Sequence, residues 1–190
     1  MQKTLDFIHN YKSLPGFQNV VHDVGPPITQ ADIEEFQAVL QSLNEDDKAS
    51  LLGLYGQART LQLGFEHVSG SEVQFGGMNI FPFGSVFFHI GRDRFDQIAF
   101  DRTIDDRLVT FSERDGRLQL FVDTGSNGEE KPEALDLGVG EYLGLLDECR
   151  GLFPWQMAIL SKKRGLMDDE RKQFISNLSI TFPDADTSLF

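Results

Sequence analysis

The sequence predicts an α+β fold: an N-terminal helical pair, a central twisted antiparallel β-sheet laid out as a meander, and closing C-terminal helices. Three observations predict it. Apolar residues recur at helical spacing from Ile33 to Leu43 and again from Tyr142 to Leu146. Between these stretches, Phe83 to Asp123 breaks into short β-prone runs punctuated by charged turns, one of them Asp115-Gly116. Seventeen Phe and a hydrophobic fraction of 40% supply a large apolar core for a chain of 190 residues.

Leu5 to Tyr11 reads as a short helix that stops before Leu14-Pro15-Gly16, and the segment through Gly25-Pro26-Pro27 reads as a connecting arm without periodicity. Thr29 is a good N-cap with Asp32 three residues later, close to a capping box. The stripe Ile33, Phe36, Val39, Leu40 and Leu43 extends that helix. A second helix starts near Asn44 to Asp47 and carries Leu51, Leu54, Tyr55, Ala58 and Leu61, weakened by Gly53 and Gly56, so the two form an αα-hairpin. From His67 onward β-formers mix with Gly and Ser. The continuous apolar run Ser85 to Ile90 reads as a strand buried on both faces, followed by a turn at Gly91-Arg92-Asp93-Arg94. Phe95 to Phe100, Leu108 to Phe111 and Leu118 to Val122 continue the meander, with Asp115-Gly116 suited to a type I′ turn. After a polar loop at 124–131, a helix runs from about Leu137 to before Pro154, Trp155 to Leu160 closes the core, and a last helix begins near Asp168. The implied organisation is an N-terminal helix and arm (1–27), an α+β domain (28–160) and a C-terminal helical extension (161–190).

Charge narrows the function. The formal net charge is −13 and the pI about 4.6, a surface that repels nucleic-acid phosphates and anionic membranes and attracts basic proteins. The expected partner is therefore a protein, neither nucleic acid nor membrane, with self-association left open. Cys149 is the single cysteine, so no intramolecular disulfide or zinc cluster is expected, and its apolar helical stripe marks it as a buried small residue. The start of the sequence lacks an apolar signal core and no run reaches membrane-span length, so the expected location is the cytoplasm.

Motifs for chemistry are sparse. His9, His22 and His67 lie apart, with no metal-ligand spacing between any pair. His89 could act as a general base oriented by Asp101 or Asp96, which would make a small hydrolase-like enzyme; a histidine bonded to a backbone carbonyl is the plainer interpretation. The stretch from Asp123 has the outline of a calcium loop, yet Gly125 replaces one oxygen ligand and Ala134 stands where a bidentate Glu belongs. Neither nucleotide-binding glycine motif occurs, nor a nucleophile elbow. No catalytic residue, metal or cofactor is therefore expected. What remains is a set of turn carboxylates, Asp93, Asp96, Asp101, Asp105, Asp106 and Asp123, interleaved with Arg92, Arg94, Arg102 and Arg107. They are either a solvated face with weak ion pairs or the rim of a partner-binding surface.

The order of elements resembles the SUKH superfamily, which groups fungal cell-wall-synthesis regulators with bacterial immunity proteins. Ile28 to Phe36 is similar to the family's opening helix, Phe87 to Asp101 to its strand pair with a charged turn ending in Phe-Asp, and Val139 to Leu146 to its closing Phe-x-Glu-Phe-Leu helix, with Tyr142-Leu143 as the nearest equivalent. The resemblance covers roughly residues 28–150. Leu43-Asn44 and Tyr55-Gly56 stand where the family often has Leu-Pro and Asn-Gly. It implies a non-enzymatic interaction module, either an immunity protein that neutralises a basic toxin domain or a regulatory scaffold, and it brings no catalytic residues.

Overall fold

A computed structural model describes residues 1–90, 98–114, 117–125 and 131–190, with side chains excepted at 88–90 and 113–114. Helix α1 (Gln2–Asn10) continues through a 3-10 turn at Tyr11–Ser13 into strand β1 (Phe17–Val24). The expected arm is thus a strand. It lies at the edge of its sheet, with a bulge between Gln18 and Val21 where Asn19 takes φ of 49°, and this interrupts the alternation by which a strand is recognised.

The capping box at Thr29 forms: the Thr29 hydroxyl accepts the Asp32 N–H (3.3 Å) and the Asp32 carboxylate accepts the Thr29 N–H (2.7 Å). The helix it starts is not continuous. It divides at Phe36 into α2 (Gln30–Glu35) and α3 (Gln37–Ser42), and at the break the Phe36 ring docks edge-on against Phe83. Helix α4 (Glu45–Tyr55) is capped by Asn44 and ends at Gly56, short of the expected Leu61. Its main helical neighbour is α6 (Val139–Cys149) rather than α3, so the hairpin expected of the first two helices gives way to packing across the core.

Leu61 opens strand β2 (Leu61–Ser69), which turns back as β3 (Glu72–Ile80) to complete a three-stranded antiparallel sheet in the order β1-β2-β3. Leu61, Leu63, Phe65 and His67 alternate inward along β2. The run read as a buried strand is helix α5 (Phe83–Ile90), started by Pro82, whose carbonyl accepts the Val86 N–H. Phe83, Val86 and Phe87 are all buried at helical spacing, and a short apolar run cannot by itself tell a buried strand from a buried helix.

The meander follows as β4 (Ile98–Arg102), β5 (Leu108–Arg114), β6 (Arg117–Asp123) and β7 (Pro132–Ala134), in that order in a second, four-stranded antiparallel sheet. The Gly91–Arg94 and Asp115-Gly116 turns lie outside the described residues, as does most of the 124–131 loop. The single sheet expected is therefore two, joined where the Phe81 N–H meets the Phe100 carbonyl (2.9 Å). Helices α7 (Trp155–Lys163) and α8 (Asp169–Thr181, capped by Asp168) pack together at the end of the chain.

One hydrophobic core spans these elements, with Tyr55, Phe100, Phe111, Tyr142 and Trp155 fully enclosed. Segments 1–27 and 161–190 share it. Phe7 and Phe17 from the first, Phe182 from the second and Phe65 from β2 form one ring cluster with centroids 4.7–5.7 Å apart. No described helix is long and apolar enough to cross a membrane.

Candidate functional site

Of the six carboxylates singled out in the sequence, the four that are described do not converge. Asp93 and Asp96 lie outside the described residues. Asp101 points inward and is only 1% exposed, which removes it from any partner-facing rim. Its carboxylate accepts the Asn79 N–H (2.9 Å) and the Tyr142 hydroxyl (2.7 Å), tying the second sheet to β3 and to α6. Burial pushes its pKa up to about 6 against the opposing pull of those hydrogen bonds, and burial together with the Asp101 charge raises the Tyr142 phenol well above its usual range. Asp101 is inward because β4 carries an irregularity between Ala99 and Asp101, which re-aims the strand at this point.

Asp123 sits at the end of β6 and accepts the N–H groups of Gly125 (2.8 Å) and Lys131 (2.9 Å). Those two donors hold its carboxyl below the ordinary carboxylate range and make it the clasp of a loop base. Among the described residues of the set, Asp105 and Asp106 face solvent together, on the turn between β4 and β5. Asp105 accepts from the Thr103 hydroxyl (2.5 Å) and from Arg107 Nε (2.6 Å), while Asp106 is 89% exposed and 3.9 Å from Arg102. Thr103 stiffens the turn: its N–H donates to the Arg107 carbonyl and its hydroxyl accepts the Arg107 N–H. His89 belongs to α5, not to a strand beside β4, and its side chain lies outside the described residues. Both Asp101 oxygens are engaged elsewhere, so the His89–Asp101 dyad gains no geometric support.

The acidic turn overhangs a surface that the sequence did not disclose. Strand register puts Gln62, Gly64, Glu66 and Val68 of β2 on the outer face of the first sheet, beside Val21 and Asp23 of β1 and Val73, Phe75, Gly77 and Asn79 of β3. This face is open: Val21 is 65% exposed, Phe75 46% and Val73 44%, and Ile104 from the acidic turn projects over its edge. A depression of about 320 Å³ runs between Val21 and Ile104 with Gly64 and Gly77 in its floor. Asp23 and Glu66 stand on the same face, and Glu66 accepts from the Asn19 side-chain amide (2.8 Å). The signal that could have pointed here is glycine inside a strand, at Gly64 and at Gly76-Gly77, which marks a bulge or a place of close approach.

A second cavity, about 500 Å³, opens beside Phe7, Phe17 and Phe182. Its two cations are both ion-paired. Arg150 stacks over Phe182 at 4.5 Å and pairs with Asp184 (2.5 Å), and Lys3 pairs with Glu148 (2.6 Å). His67 lies between Phe17 and Thr181, where burial depresses its pKa. Among the described residues, no group of three or more His, Cys, Asp or Glu is placed to hold a metal ion. Cys149 is enclosed, and burial drives its thiol pKa far upward, so it is a packing residue rather than a nucleophile.

No family model matches this chain, and no curated protein or solved structure matches it either.

Proposed function

We propose that this protein is a non-enzymatic, cytoplasmic interaction module that binds a basic protein and neutralises it, the role held by the immunity proteins of the SUKH superfamily it resembles. The observation that carries this proposal is the open face of the first sheet, where exposed Val21, Val73, Phe75 and Ile104 stand beside Asp23 and Glu66, while Asp105 and Asp106 on the overhanging turn are paired with Arg107 and Arg102. Exposed apolar side chains within a polar rim are the ordinary composition of a protein-binding patch. On a chain of net charge −13, such a patch steers a basic protein into contact and disfavours an acidic one.

The test is co-expression with the product of a neighbouring toxin-like gene. The expected result is a complex that survives purification, weakens as salt is raised, and protects cells from the toxin. Binding without protection would move the role to that of a regulatory scaffold. Absence of both complex and protection would remove the proposal.

A further inference from the structure

The floor of the depression in the open face is made by two glycines, and the fold itself requires only one of them. Gly76 and Gly77 are needed where they are. A Cβ on Gly76 would fall 2.1 Å from the Phe65 ring, and one on Gly77 would fall 2.8 Å from the Leu63 carbonyl oxygen. Gly64 is different. A Cβ built there meets nothing within 4 Å, and its backbone is not in the left-handed region that favours glycine. Glycine inside a strand weakens it, so packing gives no reason for this residue. Gly64 pairs with Val21 on one side and Gly77 on the other, and Ile104 stands 3.7 Å beyond the Gly77 Cβ position. Strands lie about 4.8 Å apart, so Val21 and the strand of Gly77 bracket a trough about 10 Å wide, room for one aliphatic side chain.

Charge at the two ends of this trough selects what enters. Asp23 is one register step from Val21 on the same face and contacts no cation among the described residues. Glu66, at the other end, is met among the described residues by the neutral Asn19 amide and by no cation. On the overhanging turn Arg107 is engaged by Asp105, and Arg102, which lines the depression together with Asp106, lies 3.9 Å from that carboxylate, so the net negative charge offered to an incoming segment is that of Asp23 and Glu66. A second copy of this chain would bring the same uncompensated carboxylates and another charge of −13 against them.

We infer that the Gly64–Gly77 trough is a docking slot for a basic polypeptide segment that inserts a single aliphatic side chain between Val21 and Ile104 and lays flanking Lys or Arg side chains on Asp23 and Glu66. The inference rests on the binding role proposed above and assigns it a place and a partner chemistry. Gly64 is left without a side chain so that the incoming one has a floor.

The test uses the full chain and a short synthetic peptide with one central Leu between lysines, titrated by calorimetry and by amide chemical shifts. The expected result is saturable, salt-sensitive binding with shifts concentrated at Val21, Gly64, Glu66, Gly77 and Ile104, and little binding when the Leu is replaced by Ser. Gly64→Val fills the slot and is expected to weaken the peptide by roughly tenfold or more while the melting temperature does not fall below that of the wild type. Ile104→Ser, at an exposed position, reads the same loss from the opposite wall. Wild-type affinity in both variants, no binding by the wild type, or shifts confined to another face would each overturn the slot. So would a wild-type dimer that Gly64→Val dissociates, since the occupant would then be a second copy. A toxin that binds Gly64→Val as tightly as the wild type would sink the slot and leave the neutralising role standing. Peptide bound in the slot with no toxin bound at all would do the reverse.

Discussion

The two faces of the first sheet are made from the same three strands, often from adjacent residues, and they have opposite fates. Inward, Leu61, Leu63, Phe65, Met78 and Ile80 are buried, and Phe65 lies directly over Gly76 within the ring cluster of Phe7, Phe17 and Phe182. Outward, Gly64, Glu66 and Phe75 face a shallow trough, with Gly77 buried in its floor. Phe65 and Phe75 are the same residue type one register step apart, yet one closes the core and the other is 46% exposed. A glycine on the inner face makes room for a ring of this chain. The glycine at 64 makes room for nothing in it. The difference separates residues kept for stability from residues available for contact.

The largest effect expected of this contrast is at Phe65. Phe65→Ala empties the centre of the ring cluster and is expected to cost about 3–5 kcal/mol by urea denaturation. Phe75→Ala should stay within about 0.5 kcal/mol in the same measurement; a comparable loss there would show that the outer face is structural as well. The inward and outward carboxylates give the next largest difference. Asp101 has a native pKa of about 6 against an ordinary 3.8, so the native state holds its proton more tightly than the unfolded chain. Its contribution is therefore fully present below 3.8 and is lost as pH rises through about 6, a difference of about 3 kcal/mol. Asp101→Asn, which can still accept the Asn79 N–H and donate to Tyr142, should flatten the stability profile across that window and raise stability at neutral pH. Asp106→Asn should leave the profile unchanged. His67 on the inner face has the opposite sign: burial lowers its pKa, so its contribution is present above 6.5 and lost as pH falls through the native value. The smallest expected loss is at Gly64, where Gly64→Val should leave stability unchanged or raise it by up to about 1 kcal/mol, read from the unfolding midpoint. A loss above about 1 kcal/mol would mean that the floor of the slot is under a packing constraint after all.

Much of the fold could be read from residue patterns because the relevant signals are local. The Thr29–Asp32 cap, the alternating Leu118, Leu120 and Val122, the pairing of β5 with β6 and the cap at Asp168 all stand where spacing and turn chemistry put them. The misreadings share a cause, which is that tertiary surroundings decided between local options. Phe83 to Ile90 is apolar enough for either a buried strand or a buried helix, and packing of Phe83 and Phe87 against Phe36 and Tyr55 accompanies the helix. Leu61 fitted the periodicity of the helix before it and equally the alternation of the strand it opens. Phe17 to Val24 hid as an arm because an edge strand with a bulge has no clean period. For the site, residue type was visible and direction was not. Asp101, Asp105 and Asp106 look alike in a row of charged turns, and only the strand irregularity at Ala99–Asp101 turns the first one inward. The slot itself joins Val21, Gly64, Gly77 and Ile104, residues brought together only by sheet register and by the junction of two sheets.

That long-range register also sets an order of assembly. β2 and β3 meet through the tight reversal at Gly70, whereas β1 must wait for the chain from Val24 to Leu61, with all of α2, α3 and α4 in it, to close before a single ladder bond can form. Closing the longer loop costs more chain entropy, and contacts of high sequence separation form late. The Val21 wall therefore arrives after the glycine floor when the chain folds. As an edge strand it is also the first to fray, so amide exchange should be faster in Phe17–Val24 than in Leu61–Ser69. A face built this way has one firm side and one compliant side, so the proposed slot would adjust its width to an occupant without disturbing the core beneath it.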